Sequence, residues 1–129
     1  MQFDAQIVAA CALVPGLVRS ALVLLPEGIL IGGIGAESAL DHEPLVRAAM
    51  ACLVARGAPV LTERPLASFV EYAFVSTDEL VVIQRGRSDE RLALATVCTR
   101  DPNLALVLSA TRQAITRLEE SVILDEHSR

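Results

Sequence analysis

Lysine is absent from the sequence, and all 11 basic residues are arginines. Without lysine the chain cannot build a P-loop, a Schiff base with a carbonyl compound, or the lysine–phosphate contact of a kinase. Tryptophan is also absent, and the aromatic residues are one Tyr and three Phe. With a net charge of −5 and so few rings for stacking, the chain is not expected to bind nucleic acid.

Cysteine is scarce as well, because Cys11, Cys52 and Cys98 are the only three. An odd number at wide spacing fits neither a disulfide framework nor a zinc site. We therefore predict small buried thiols in a reducing compartment, and no cofactor.

Long uninterrupted hydrophobic runs are missing too. The apolar stretch 7–25 is broken by Pro15-Gly16 and by Arg19-Ser20, so it predicts no membrane-spanning helix. The residues before it carry an acid, Asp4, where a signal peptide has positive charge. These features favour a cytoplasmic protein without membrane contact.

The length of 129 residues suits one domain, and 53% hydrophobic residues exclude intrinsic disorder. We assign residues 1–124 to that domain and residues 125–129 to a polar, frayed C-terminal tail that contains His127. Hydrophobic periodicity and turn residues divide the domain into eight elements. They are a helix over 3–13, strands over 17–25 and 29–34, a helix over 44–56, a connector over 57–68, strands over 69–75, 80–85 and 92–98, and a last helix that Asp101 caps and Pro102 opens. The order α-β-β-α-β-β-β-α groups the strands and so predicts an α+β fold, a five-stranded antiparallel sheet with helices on both faces.

The second helix is apolar all round, since Arg47 and Arg56 are its only polar residues between 45 and 56. Such a helix must be covered on more than one face. A small-residue face of Ala48, Ala51 and Ala55 permits close backbone approach, so we expect the bulkier face to meet a partner. That bulkier face consists of Val46, Met50, Leu53 and Val54. The alternative is that the terminal helices or the connector cover it within one monomer.

Four segments carry a resemblance that spans essentially the whole chain. They are VPGLVRSALVLLPEGILIGGIG (14–35), DHEPLVRAAMACLV (41–54), ELVVIQRG (79–86) and DPNLALVLSATRQAITRL (101–118). The chain resembles the roadblock (dynein light chain) superfamily, which is profilin-like, in the bacterial form typified by mutual-gliding-motility protein B. One departure is Ala105, where many relatives have glycine.

The resemblance implies a homodimer whose sheets join at the third strand (69–75) and whose second helices pair. It also implies a small Ras-like GTPase as partner, in bacterial polarity, motility or signalling, and no catalytic residues. An uncovered third strand rich in Phe, Tyr and Val is an aggregation hazard that self-pairing removes. The expected dimer or partner interface comprises Val46, Met50, Leu53, Val54, Phe69, Glu71, Ala73 and Val75. A small-ligand sensor is the alternative function, because a curved sheet flanked by helices can enclose a pocket.

Three further motifs have a functional and a structural interpretation. Gly32-Gly33-Ile34-Gly35 follows a strand, as a dinucleotide loop does, but Ser38 replaces the third glycine, so close backbone approach is favoured. His42, between Asp41 and Glu43, suggests an acid–base or metal cluster, yet neighbouring residues at a helix start diverge, so solvated side chains are favoured. Arg85, Arg87 and Arg91 suggest an arginine finger, but local ion pairs on a solvated hairpin are favoured.

Overall fold

A computed structural model describes residues 1–35, 39–54, 71–100 and 103–127. The elements follow the predicted order. They are α1 (Asp4–Ala10), β1 (Leu17–Leu24), β2 (Ile29–Ile34), a short 3-10 helix (Ala39–His42), α2 (Glu43–Val54), β3 (Glu71–Val75), β4 (Glu79–Arg85), β5 (Leu92–Thr99) and α3 (Leu104–His127). The predicted connector 57–68 lies outside the described residues.

The five strands form one antiparallel sheet in the order β2-β1-β5-β4-β3. The central strands β1 and β5 are joined by six residue pairs in an unbroken register from Arg19↔Val97 to Leu24↔Leu92. The predicted α+β class and antiparallel sheet are confirmed.

Alternate residues of the strands point to opposite faces of the sheet. Leu22 and Leu94 belong to a core cluster with Ile7 of α1 and Leu118 of α3. Their neighbours face the other way, into a second cluster that includes the α2 residues Leu45, Ala49 and Cys52. The sheet is therefore covered by α1 and α3 on one face and by α2 on the other, which confirms the predicted helices on both faces.

The ends of α3 differ from the prediction. The helix begins at Leu104, and its cap is Asn103, whose Oδ1 accepts the backbone N–H of Ala105 at 2.9 Å. The predicted cap Asp101 and the predicted first helical residue Pro102 lie outside the described residues. At the other end, α3 continues through 125–127, which the sequence assigned to a frayed tail.

Contacts across the chain explain why the last turn of α3 is ordered. Gln2 Nε2 donates to Asp125 at 2.8 Å, and an Arg91 guanidinium nitrogen donates to Glu126 at 3.1 Å.

The helix α1 is shorter than predicted, since it ends at Ala10 and not at Leu13. Among the described helices, none is long and apolar enough to span a membrane.

Candidate interaction surface

The strand β3 lies at one edge of the sheet and pairs with β4 alone among the described residues. Its last two side chains are open to solvent, because Phe74 is 46% exposed and Val75 is 62% exposed. An edge strand with free backbone groups and exposed apolar side chains is a site where another strand can add. Of the expected interface residues here, Ala73 and Val75 are exposed and Glu71 is half-buried, whereas Phe69 lies outside the described residues.

The side chains on the two faces of β3 make different contacts. Tyr72 and Phe74 are on the α2 face, and their rings stack with centroids 6.0 Å apart. Glu71 is on the α3 face, where its two carboxylate oxygens accept Arg112 N–H groups at 2.8 and 2.9 Å. The bond from Arg112 lowers the pKa of Glu71, with a smaller contribution in the same direction from Gln84, against the opposing effect of burial. The start of β3 is thus fixed to α3, while its end is open.

The faces of α2 are distributed differently from the predicted division. Leu45, Ala49 and Cys52 are buried against the sheet. Of the predicted small-residue face, Ala51 is exposed, Ala48 is half-buried beside this cluster, and Ala55 lies outside the described residues, so these alanines do not form the side buried against the sheet. Periodicity could not find the buried face because almost every position of the helix is apolar.

The bulkier set lies along one flank of α2. Val46, Met50 and Leu53 are half-buried against the second core cluster, and the side chain of Val54 is outside the described residues. Met50 Sδ would lie 2.9 Å from a Cβ at Gly28, so it also packs under the β1–β2 turn. The outward stripe is formed by Pro44, Arg47 and Ala51, and Arg47 pairs with Glu43 at 2.7 Å.

His42 is buried, which corrects the expectation of a solvated side chain. It is 3% exposed because its ring packs on Gly33, where a Cβ would overlap the imidazole. Burial lowers the pKa of His42, and the positive charge of Arg19 lowers it further, while Asp4 and Asp41 oppose the shift. Its Nδ1 atom has no hydrogen-bond partner among the residues that the structure describes.

The glycines of the 32–35 motif provide close packing, the interpretation that the sequence favoured over a dinucleotide loop. At Gly32 a Cβ would lie 2.7 Å from Ile7 Cδ1, and at Gly35, with φ of +79°, it would overlap the carbonyl oxygen of Val18. These glycines let α1 and β1 approach β2, and that role leaves no space for a dinucleotide against the same atoms.

Glu119 is a buried carboxylate that the sequence did not single out. It is 4% exposed on α3, and its oxygens accept the backbone N–H groups of Arg87 at 3.3 Å, Ser88 at 2.7 Å and Asp89 at 2.6 Å. Three consecutive amides converging on one carboxylate form a small anion nest. The carboxylate thereby holds the loop between β4 and β5 onto α3.

Two arginines of this hairpin form local ion pairs or hydrogen bonds, the interpretation that the sequence favoured over an arginine finger. Arg91 pairs with Asp89 at 2.7 Å, and Arg85 Nε donates to the carbonyl oxygen of Glu90 at 2.7 Å. Arg87 is exposed.

The three cysteines are free and buried, as predicted. Burial raises the pKa of Cys52 and of Cys98 to about 11, so these thiols stay protonated and unreactive near neutral pH. Within the described ranges no three His, Cys, Asp or Glu side chains are grouped to hold a metal ion.

The sequence matches no family model and no curated protein. Among solved structures, a roadblock/LC7 domain from Streptomyces avermitilis superposes with a TM-score of 0.76 at 11% identity, covering 95% of this chain and 99% of that one. MglB from Myxococcus xanthus superposes with a TM-score of 0.70 at 20% identity, covering 92% and 88%. An MglB structure with a tetrameric arrangement superposes with a TM-score of 0.65 at 17% identity, covering 88% and 83%. The chain therefore has the roadblock fold, in the form that it shares with MglB.

Proposed function

We propose that the chain is a cytoplasmic, non-enzymatic homodimeric interaction module that binds and regulates a small Ras-like GTPase. The observation that carries the proposal is the open edge of β3, where Phe74 and Val75 are 46% and 62% exposed. The fold that the chain shares with MglB supports the self-association, because one MglB structure has a tetrameric arrangement.

In the proposed dimer, β3 of one protomer pairs with β3 of its partner. Pairing joins the outward backbone groups of the two edges and covers Ala73 and Val75 together with Glu71 at the start of the strand, while Phe69, which is also expected at the contact, lies outside the described residues. The α2 helices meet on the same side of the extended sheet through their outward stripes. Half-buried side chains on the flank then complete the contact, namely Val46, Met50, Leu53 and Val54.

The described side chains favour a binding platform over a catalyst. Two thiols have pKa values raised to about 11, and the buried His42 has a lowered pKa with its ring confined against Gly33. Arg47 and Arg91 are held in ion pairs with neighbouring acids. Regulation then acts by binding one conformation of the GTPase switch segments more tightly than the other, so that its populations shift.

The test is capture of the GTPase in defined nucleotide states. The purified chain is immobilised and exposed to an extract of its source cells. The extract is supplemented with either GDP or a non-hydrolysable GTP analogue, and the retained proteins are identified by mass spectrometry. We expect one Ras-like GTPase to be enriched in one nucleotide state.

The retained GTPase is then purified, and its binding is measured by titration against the wild type and against two arginine variants. Ala51→Arg changes the exposed stripe of α2, and Ala12→Arg makes the same change at an exposed position after α1. Binding should be weakened only by Ala51→Arg. A chain that dimerises but retains no Ras-like GTPase in either state contradicts the partner assignment and leaves the dimer standing.

A further inference from the structure

Four arginines surround one open cavity between β4 and α3. Arg85 and Arg87 come from the end of β4 and the loop after it, whereas Arg112 and Arg117 come from α3. The cavity has a volume of about 450 Å³. These are four of the 11 basic residues in a chain of net charge −5, so the local charge is opposite to that of the whole protein.

The carboxylates beside this cavity are already engaged. Glu71 receives two hydrogen bonds from Arg112, and Glu119 accepts the backbone amides of the loop at 87–89. Arg87 and Arg117 form no ion pair in the part of the chain that the structure describes. The charge of Arg87 contributes weakly to the lowered pKa of Glu71, but among the described residues neither guanidinium is held by a carboxylate at ion-pair distance.

The remaining walls fit an organic anion. Ile115 is 3% exposed and lines the cavity together with the side chain of Thr116, an apolar contact beside a hydroxyl group. A volume of about 450 Å³ is larger than an inorganic ion needs and lies in the range of small-molecule sites. Guanidinium groups bind phosphate oxygens with paired N–H donors, and Arg112 is already oriented by Glu71.

We propose that this cavity binds a phosphate monoester. The charge of about −2 on such a group matches the two guanidiniums of Arg87 and Arg117, which form no ion pair among the described residues. The cavity is on the α3 side of the sheet, opposite α2. The proposal goes beyond the GTPase partnership and does not depend on it.

Inorganic phosphate is the first probe, titrated into the ¹⁵N-labelled chain at constant ionic strength with chloride as the balancing anion. The amide signals of residues 84–87 and 112–117 should move saturably. Arg87→Gln and Arg117→Gln should each weaken the affinity by on the order of tenfold, the loss of one charge-assisted hydrogen bond. Arg100→Gln removes one exposed arginine at the far end of the sheet and should leave the affinity unchanged.

A second pair of probes distinguishes the source of the phosphate. A mononucleotide represents a free metabolite, and a phosphoserine peptide represents a modified protein. Saturable binding of either one that is lost in the Arg87→Gln/Arg117→Gln double variant supports the site. Equal responses of the wild type and the double variant overturn the proposal, and so does the absence of any saturable shift. Succinate, a dicarboxylate of similar charge, is titrated for comparison, and tighter binding of succinate than of phosphate also overturns the proposal. Both arginines are exposed and form no ion pair among the described residues, so the double variant is expected to fold, and a dispersed amide spectrum checks this.

Discussion

Gly33 and His42 are packed so closely that a Cβ at position 33 would lie 2.8 Å from the Cδ2 and Cε1 atoms of the imidazole ring. Gly33 is in β2, and His42 ends the short helix that leads into α2. The Gly33 amide also donates to Asp4 Oδ1 at 2.8 Å. One glycine thus brings α1, β2 and the entry to α2 together.

Gly33→Ala is expected to destabilise the fold by about 1–3 kcal/mol, the range for overpacking a core. The methyl group would force the His42 ring to move within a site that is already full. Urea unfolding followed by circular dichroism measures the loss. Because the clash needs the ring, His42→Ala combined with Gly33→Ala should cost less than the sum of the two single changes. Additive effects would contradict the packing.

Burial of His42 also predicts a pH dependence of stability. Its folded-state pKa is lowered from the ordinary value of 6.5, chiefly by burial and next by Arg19, against Asp4 and Asp41. The unfolded chain then binds a proton at this histidine more readily than the folded chain does. The contribution of neutral His42 to stability is therefore complete above pH 6.5 and is lost as the pH falls from 6.5 toward the lower folded-state pKa. The free energy of unfolding should decline over this window.

The matched variants for this prediction are His42→Gln and His127→Gln. His127 is exposed at the end of α3. The decline near pH 6 should shrink in His42→Gln and persist in His127→Gln, as measured by urea unfolding at several pH values. The same pH profile in both variants would show that His42 does not supply the effect.

Local sequence patterns predict the bounds of strands but not the tertiary contacts of His42 and Glu119. The strand bounds of β2 were predicted residue for residue, because a short apolar run is closed by Gly28 on one side and Gly35 on the other. The burial of His42 depends on the missing Cβ of Gly33, a tertiary relationship that local polarity conceals. The role of Glu119 was missed because its amide partners are 30 to 32 residues away. In α2 the side facing the sheet was missed because uniform apolarity removes the contrast on which periodicity depends.

Glu119 is expected to determine the order of the β4–β5 loop. Glu119→Ala leaves the part-buried amides of Ser88 and Asp89 without their acceptor, at a cost of about 1–3 kcal/mol. Amide hydrogen exchange at 87–89 should accelerate, and the midpoint of urea unfolding should fall. Glu120→Ala is the control, since Glu120 is the exposed neighbour on the same helix. Unchanged exchange in Glu119→Ala would contradict the anchoring role.

The proposed dimer gives the last prediction, which concerns the exposed stripe of α2. Light scattering of the wild type at micromolar concentration should give twice the chain mass of 13.8 kDa. Ala51→Arg should give the monomer mass, because a charge placed in a buried apolar contact loses hydration without gaining a counterion. Met50→Arg is a weaker test, since Met50 also packs within its own protomer under Gly28 and its loss would destabilise the monomer as well.

Two further variants separate the dimer contact from general surface effects. Val75→Arg places a charge at the 62% exposed end of β3 and should dissociate the dimer as Ala51→Arg does. Ala12→Arg makes the same Ala-to-Arg change at an exposed position outside the proposed contact and should leave the mass doubled. A dimer that survives both Ala51→Arg and Val75→Arg must use another surface, and a monomeric wild type would exclude self-pairing at β3. If only Val75→Arg dissociates it, the sheets join at β3 without contact between the α2 stripes.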